Sequence, residues 1–214
     1  MGRVLVISSY MGGIEKTTTA ILLSAKLAKR EKRVLLIDLD SQGNSTSAFE
    51  VNVGKNTIYS VLMEKSTLEQ SIYKSVLKNI DIIPSEPNLC AADIELAGAT
   101  DWEYILAKKF VSIKNEYDYI IFDCPPSLDR VTINALCVAD GIIIPSLDES
   151  YAIEAIKNYL CTVKLCREKI NPKLRVEGIL FIRNELNVDD IDELIISANK
   201  SFQERIFNTT IPWV

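Results

Sequence analysis

The sequence predicts an α/β fold, with one doubly wound, mostly parallel sheet and helices on both of its faces. Short and nearly continuous apolar runs recur along the chain, and stretches with helical periodicity separate them. Strands that read as unbroken apolar runs are typical of parallel sheets covered on both sides. Regular alternation of strands and helices indicates a doubly wound arrangement.

The predicted elements follow one another with short connections. The first strand is RVLVIS at 3–8, and the helix after it runs from Thr17 to Arg30 with a stripe of apolar residues at helical spacing. The other predicted strands are 33–39, 79–85, 117–123, 140–146 and 176–182, and the other predicted helices are about 88–98, 101–115, 129–139, 150–168 and 189–205. The chain shows no repeat and no linker composition, so we expect a single domain over residues 1–214.

Composition excludes several classes of function. The chain has 214 residues, of which 48% are hydrophobic and 25% charged, and its net charge is −5, which is typical of a soluble globular protein. Neither half is net basic, so the charge indicates no dedicated nucleic-acid-binding domain. The absence of histidine excludes histidine-based triads and metal sites, and the five cysteines form no C-x-x-C pair. No apolar run reaches the ~20 residues of a membrane span, so we expect a cytoplasmic protein without membrane contact.

A loop rich in glycine and threonine follows the first predicted strand. A P-loop places G-x-x-x-x-G-K-[ST] between a strand and a helix, so that backbone N–H groups and the lysine hold phosphates and the hydroxyl binds Mg²⁺. Gly12, Gly13, Lys16 and Thr17 keep two glycines, the lysine and the hydroxyl, but Glu15 stands where the pattern has its last glycine. The order of strand, loop and helix nevertheless predicts a phosphate-binding site.

Carboxylates follow two further strands. Asp38 and Asp40 lie at the end of the second predicted strand, and Asp123 ends the strand 117–123. Ligands of such sheets bind at the carboxyl ends of the strands, and a carboxylate at that position suits Mg²⁺, which keeps several of its own waters. The alternative interpretation is that this pair supplies one N-capping or loop carboxylate.

Three motifs carry a resemblance to a known family. The loop MGGIEKTTT (11–19) resembles the deviant Walker A box of the ParA/MinD family of ATPases, whose pattern is K-G-G-x-G-K-T-T. LLIDLDSQGNST (35–46) is similar to the family's I-D-x-D-P-Q-G-N, and YDYIIFDCPPS (117–127) is similar to its Walker B segment. The similarity extends over essentially the whole chain and is greatest to the Soj-like branch, which partitions chromosomes and plasmids.

The resemblance implies a P-loop NTPase-like protein that binds ATP or ADP with Mg²⁺. It implies that the nucleotide contacts are Met11, Gly12, Gly13, Ile14, Glu15, Lys16, Thr17 and Thr18, that Lys16 and Asp40 are catalytic, and that Thr17, Asp38 and Asp123 support the metal. Asp40 would orient the attacking water. The family implies an ATP-dependent homodimer, non-specific DNA binding and a ParB-like partner.

Two departures from the family pattern predict weak or absent hydrolysis. The family has a second lysine at the position of Met11, which reaches the phosphates of the facing subunit, whereas Glu15 adds a carboxylate and a Cβ where the loop favours glycine. The alternative is therefore a non-hydrolysing ParA-like regulatory or protein-binding module, either monomeric or dimeric. A synthetase or reductase subunit of the same superfamily would need additional catalytic residues or cluster cysteines that the sequence does not show.

Overall fold

In the computed structural model, the eight strands formed by the described residues belong to one sheet. The structure describes residues 2–147, 150–183, 206–207 and 211–212. The strands are β1 (Arg3–Ile7), β2 (Val34–Asp38), β3 (Tyr73–Lys74), β4 (Ile80–Ile83), β5 (Tyr119–Asp123), β6 (Gly141–Leu147), β7 (Arg175–Arg183) and β8 (Ile211–Pro212). Their order across the sheet is β3-β4-β2-β5-β1-β6-β7-β8. Only the β3–β4 pair is antiparallel among these strands, so the prediction of a mostly parallel sheet is confirmed.

Helices connect the parallel strands. They are α1 (Lys16–Lys29), α2 (Asn44–Ala48), α3 (Ile58–Leu62), α4 (Ala92–Leu96), α5 (Ile105–Phe110), α6 (Arg130–Val138) and α7 (Ser150–Lys169), with 3₁₀ turns at Glu69–Ser71, Pro87–Ala91 and Trp102–Tyr104. Among the described residues, none of the helices combines the length and the hydropathy of a transmembrane span.

Apolar side chains cover both faces of the sheet. Successive residues of a strand point to opposite faces: Leu35 and Ile37 pack into one core cluster with α4, α5, α6 and α7, while Val34 and Leu36 pack into another with α1. All four side chains are fully buried. The unbroken apolar runs therefore have the physical cause that the sequence predicted, a sheet covered on both sides.

The structure corrects several predicted boundaries. The predicted helices 88–98 and 101–115 each begin as a 3₁₀ turn and end early, at Leu96 and Phe110. The short helices α2 and α3 and the two-residue strand β3 were not predicted, because segments of five residues or fewer carry too little periodicity. The predicted helix 189–205 lies outside the described residues.

Candidate functional site

The strands that carry the predicted site residues lie side by side. β5 lies between β2 and β1, and Asp123 at its end is in register with Asp38 on one side and with Ile7 on the other. The strands are parallel, so the chain leaves all three of them at the same edge of the sheet. The loop that begins at Ser8 is thereby placed beside the two carboxylates.

The backbone of the loop has the alternating conformation that is typical of anion-binding loops. Gly13 and Glu15 have left-handed conformations, with φ of 65° and 52°, and they flank Ile14. Alternation of this kind turns successive N–H groups toward one side and makes an anion-binding concavity. A Cβ built on Gly12 or Gly13 would meet no atom within 4 Å, so the loop faces open space. The side chain of Ile14 is buried, which leaves only its backbone for a ligand.

Lys16 closes the loop from the helix side. It is the first residue of α1 and is only 7% exposed. Its Nζ donates a hydrogen bond of 2.6 Å to the carbonyl oxygen of Met11. Burial lowers the pKa of Lys16, and the nearby charges of Asp123 and Asp40 oppose that effect. The ammonium group is thus held between the loop and the carboxylates of the neighbouring strands.

Glu15 adopts the backbone conformation that the pattern reserves for glycine. It precedes α1 in the left-handed region, where a side chain costs about 1 kcal/mol or more. Its carboxylate accepts a hydrogen bond from the Thr18 hydroxyl, and its carbonyl accepts bonds from the backbone N–H and the hydroxyl of Thr19. The Glu15 side chain therefore lies against the first turn of α1 and engages a hydroxyl of the predicted nucleotide contacts.

Asp38 is fully buried and satisfied by protein donors. One carboxylate oxygen accepts from the backbone N–H of Asp40 at 3.1 Å, and the other accepts from the N–H and the hydroxyl of Thr46, both at 2.7 Å. Asp40 in turn accepts from the backbone N–H of Gln42 at 3.0 Å. Burial raises the pKa of Asp38. This residue holds Asp40 and the start of α2 in place.

Asp123 has one oxygen bound and one without a partner. Its Oδ2 accepts a hydrogen bond of 2.7 Å from Ser45, whereas its buried Oδ1 has no hydrogen-bond partner. Burial is the main cause that raises the pKa of Asp123 to about 7, and the charge of Asp38 is the second. The hydroxyls of Ser45 and Thr17 act in the opposite direction and lower this pKa. An unpartnered buried carboxylate oxygen is costly, so this atom is a candidate ligand for a cation or its water.

We expect Asp123 to make the folded chain less stable as the pH rises. A carboxyl group with a raised pKa costs nothing below its unfolded value near 4, and its penalty grows until the pH passes its folded value of about 7. Asp123→Asn should therefore raise the free energy of unfolding by up to about 4 kcal/mol at pH 8, since a shift of about three pKa units corresponds to that amount, and by much less at pH 4.5. Urea denaturation at both pH values measures this.

The exposed residue Glu116 supplies the control. Glu116→Gln removes one carboxylate from the surface, and it should change the stability equally little at both pH values. An Asp123→Asn variant that gains nothing between pH 4.5 and pH 8 would show that the buried carboxylate is not a source of instability.

Several residues of the site were not singled out from the sequence. Ser45 and Thr46 bind the two aspartates from α2, and Thr46 also accepts a bond of 2.9 Å from the Ser85 N–H. The sequence signal that could have indicated them was the motif SQGNST (41–46). Gly43 in this motif has a φ of 64° and is the N-cap of α2. Tyr10 packs edge-on against Tyr159 of α7 at 5.0 Å between ring centroids. No sequence signal links Tyr10 to a helix almost 150 residues away.

The arrangement fits a magnesium-bound polyphosphate. A concave loop of N–H groups, a buried lysine and open space over two glycines suit phosphates, and the free Oδ1 of Asp123 beside Thr17 suits a hydrated cation. No group of three or more Cys, Asp or Glu side chains within the described ranges could hold a metal ion without other ligands. Mg²⁺ commonly takes one or two carboxylates together with water and phosphate oxygens.

Comparison with known proteins gives the family. A family model described as "AAA domain" matches residues 2–176. The chain is 37% identical over 214 residues to the sporulation initiation inhibitor protein Soj of Bacillus subtilis, covering 99% of this chain and 85% of that protein. It is 35% identical over 214 residues to the chromosome partitioning protein ParA of Myxococcus xanthus, covering 99% and 76%.

Solved structures agree with these relatives. A plasmid partition protein from Borrelia burgdorferi has a TM-score of 0.80 at 30% identity, covering 92% of this chain and 84% of that chain. A cobyrinic acid a,c-diamide synthase from Mycobacterium smegmatis, crystallised with ADP and magnesium, has a TM-score of 0.92 at 26% identity, covering 100% and 88%. With the sequence relatives and the strand-end geometry, these matches confirm the resemblance seen in the motifs: the chain belongs to the ParA/Soj family of partition ATPases.

Proposed function

We propose that this chain binds Mg-ATP and Mg-ADP at the loop 8–15 and acts in DNA partition, with slow turnover of ATP. The observation that carries the proposal is the buried, unpartnered Oδ1 of Asp123, which lies at the same sheet edge as the buried Lys16. A bound polyphosphate with its cation would partner both groups. The names of the relatives, which are chromosome and plasmid partition proteins, support the biological role.

Each site residue has a proposed task. Lys16 and the backbone N–H groups of residues 11–18 would hold the phosphates, and Thr17 and Asp123 would hold Mg²⁺, which neutralises phosphate charge. Asp38 acts through its hydrogen bonds, since both of its oxygens are taken by protein donors. Asp40, half-buried and fixed by Asp38 and Gln42, would orient the water that attacks the phosphate. Phosphoryl transfer depends mainly on such positioning and charge neutralisation.

Titration calorimetry with Mg-ADP tests the binding step. We expect Lys16→Ala to weaken binding at least tenfold, because a charge-assisted hydrogen bond contributes about 1.5–3 kcal/mol. The matched control is Lys26→Ala, which removes an exposed lysine from the same helix and should change the affinity less than twofold. Equal loss in both variants, or no binding by the unmodified chain at millimolar Mg-ADP, would contradict the proposal.

DNA and a ParB-like protein are the proposed partners. The family of the chain supports both, with the closed, ATP-bound homodimer as the form that engages DNA. The test is ATP hydrolysis at saturating duplex DNA with and without a ParB-like protein. Stimulation by the two partners together would support a partition cycle.

A second candidate function rests on Glu15. Its carboxylate engages Thr18 at the entrance of α1, where phosphate oxygens would otherwise bind. This favours a ParA-like regulator that binds nucleotide and partner proteins without hydrolysis. ATP turnover comparable to that of a relative with an intact loop would reject this candidate, and nucleotide binding without any turnover would favour it.

A further inference from the structure

A second cavity lies at the opposite edge of the sheet from the phosphate loop. It has a volume of about 730 Å³, which is within the range of small-molecule sites. Its walls come from the start of β1, the end of α7, the connection that follows and the start of β7. The charged side chains that line it are Arg3, Lys114, Asp140, Arg167, Lys173, Arg175 and Glu177.

The two carboxylates of this cavity are already paired. Glu177 forms an ion pair of 2.6 Å with Arg3. Asp140 lies 3.6 Å from the Lys114 ammonium group, and its other oxygen accepts a bond of 2.8 Å from the Val4 N–H. A Cβ at Gly141 would collide with the Glu177 side chain, so glycine leaves room for this pairing.

Three cationic side chains of the cavity form no ion pair with a carboxylate in the described part of the chain. Among the described residues, no acidic side chain lies within 4.0 Å of Arg167, Lys173 or Arg175. They gather in one cavity of a chain whose net charge is −5. Two guanidinium groups and an ammonium group match a phosphate or pyrophosphate, whose several oxygens accept paired hydrogen bonds.

The wall that carries Lys173 is held rigidly. The buried side chain of Asn171 donates to the carbonyl oxygens of Leu136 and Ala139, both at 2.8 Å, and accepts from the Lys173 N–H at 3.2 Å. The connection between α7 and β7 is thereby fixed to the end of α6. These bonds fix the backbone that carries Lys173, whereas the Lys173 side chain itself is exposed.

An apolar slot adjoins the cationic cavity. Its volume is about 350 Å³, and it shares Lys114, Asp140 and Lys173 with the larger cavity. The apolar part of its lining comes from α5, α6 and the residues after them: Ala107, Phe110, Val111, Cys137, Val138 and Ala139. Val111 is 80% exposed at this slot. An apolar slot that continues into a cationic cavity suits a molecule with an apolar part and an anionic head.

We propose that this pair of cavities binds a small molecule in which a phosphate or pyrophosphate group is joined to an apolar part. The head contacts Arg167, Lys173 and Arg175, and the apolar part lies against Val111 and Val138. The site is separate from the phosphate loop, because it lies at the amino ends of β1, β6 and β7.

Calorimetry with geranyl pyrophosphate and with inorganic pyrophosphate tests the site. The full chain carrying Lys16→Ala serves as the background, so that the phosphate loop contributes little. We expect saturable binding of geranyl pyrophosphate, at least tenfold weaker binding of inorganic pyrophosphate, and at least a tenfold loss for Lys173→Gln with Arg175→Gln. The control pair is Lys157→Gln with Lys169→Gln on α7, outside the cavity lining, which should change the affinity less than twofold.

Several results would overturn the proposal. No binding at millimolar probe, or equal loss in both pairs of variants, would show that the cavity has no specific anion site. Equal affinity for the two probes would show that the site does not recognise the apolar part of the ligand. Binding in the unmodified chain that vanishes with Lys16→Ala would place the probe at the phosphate loop, which supports the proposed function while rejecting this site. If Lys173→Gln with Arg175→Gln loses binding of duplex DNA but keeps its affinity for geranyl pyrophosphate, these cations form a nucleic-acid contact instead.

Discussion

Replacing Glu15 with glycine is expected to raise the affinity for Mg-ADP by at least two orders of magnitude. The largest contribution is electrostatic, because two like charges about 4 Å apart repel by about 4 kcal/mol at an effective dielectric constant of 20. The Glu15 carboxylate lies on the first turn of α1, where the helix dipole and the free N–H groups otherwise attract phosphate. Calorimetric titration of the variant and the unmodified chain measures the change.

Release of Thr18 adds to this effect. Its hydroxyl donates to Glu15, and it must break that bond before it can contact a nucleotide. Glycine also fits the backbone at this position without cost, since φ is 52°. The variant should therefore be more stable by about 1 kcal/mol in the absence of nucleotide, in addition to binding it more tightly.

Two matched variants separate these causes. Glu15→Gln keeps the side chain and its strained backbone but removes the charge, so it should recover most of the affinity and none of the stability. Glu31→Gly relieves the same strain at the other end of α1, where φ is 59°, so it should recover the stability and none of the affinity. If Glu15→Gly leaves the affinity for Mg-ADP unchanged, the carboxylate does not face the phosphates and the predicted repulsion is wrong.

The succession of strands and helices along the chain and the position of the site at the strand ends could be predicted, because both depend on local patterns. Buried parallel strands read as apolar runs, and the loop and the carboxylates follow directly at their ends. The left-handed conformation of Glu15 was also predictable, since the pattern requires glycine there. These features depend on neighbours in the sequence, so single segments were enough to predict them.

Features that depend on distant contacts could not be predicted. The bond from Ser45 to Asp123 spans 78 residues, and α2, which presents Ser45, is only five residues long. The orphaned Oδ1 of Asp123 appears only when every donor around it is placed. The second cavity likewise brings together side chains from β1, α7 and β7, none of which forms a motif.

The second large effect is expected at position 11, where lysine should restore ATP-dependent dimerisation. The Met11 carbonyl accepts from Lys16, and this backbone contact does not depend on the side chain at position 11. The family resemblance implies a lysine here that reaches the phosphates of the facing subunit. In a symmetric dimer each such contact occurs twice. At about 1.5–3 kcal/mol for each charged hydrogen bond, two contacts should tighten the dimer at least a hundredfold.

The test uses Met11→Lys in the Glu15→Gly background, so that weak nucleotide binding does not conceal the effect. Light scattering should show a doubling of mass with a non-hydrolysable ATP analogue and no change with ADP. Met11→Gln controls for polarity without charge, and Leu22→Lys adds a lysine at an exposed position of α1; both should remain monomeric. A double variant that binds the analogue tightly yet stays monomeric would show that the charge at position 11 is not what the dimer lacks. Because Glu15 governs binding within one subunit and Met11 governs contact between subunits, the two variants should act independently, and only their combination should recover the full response to ATP.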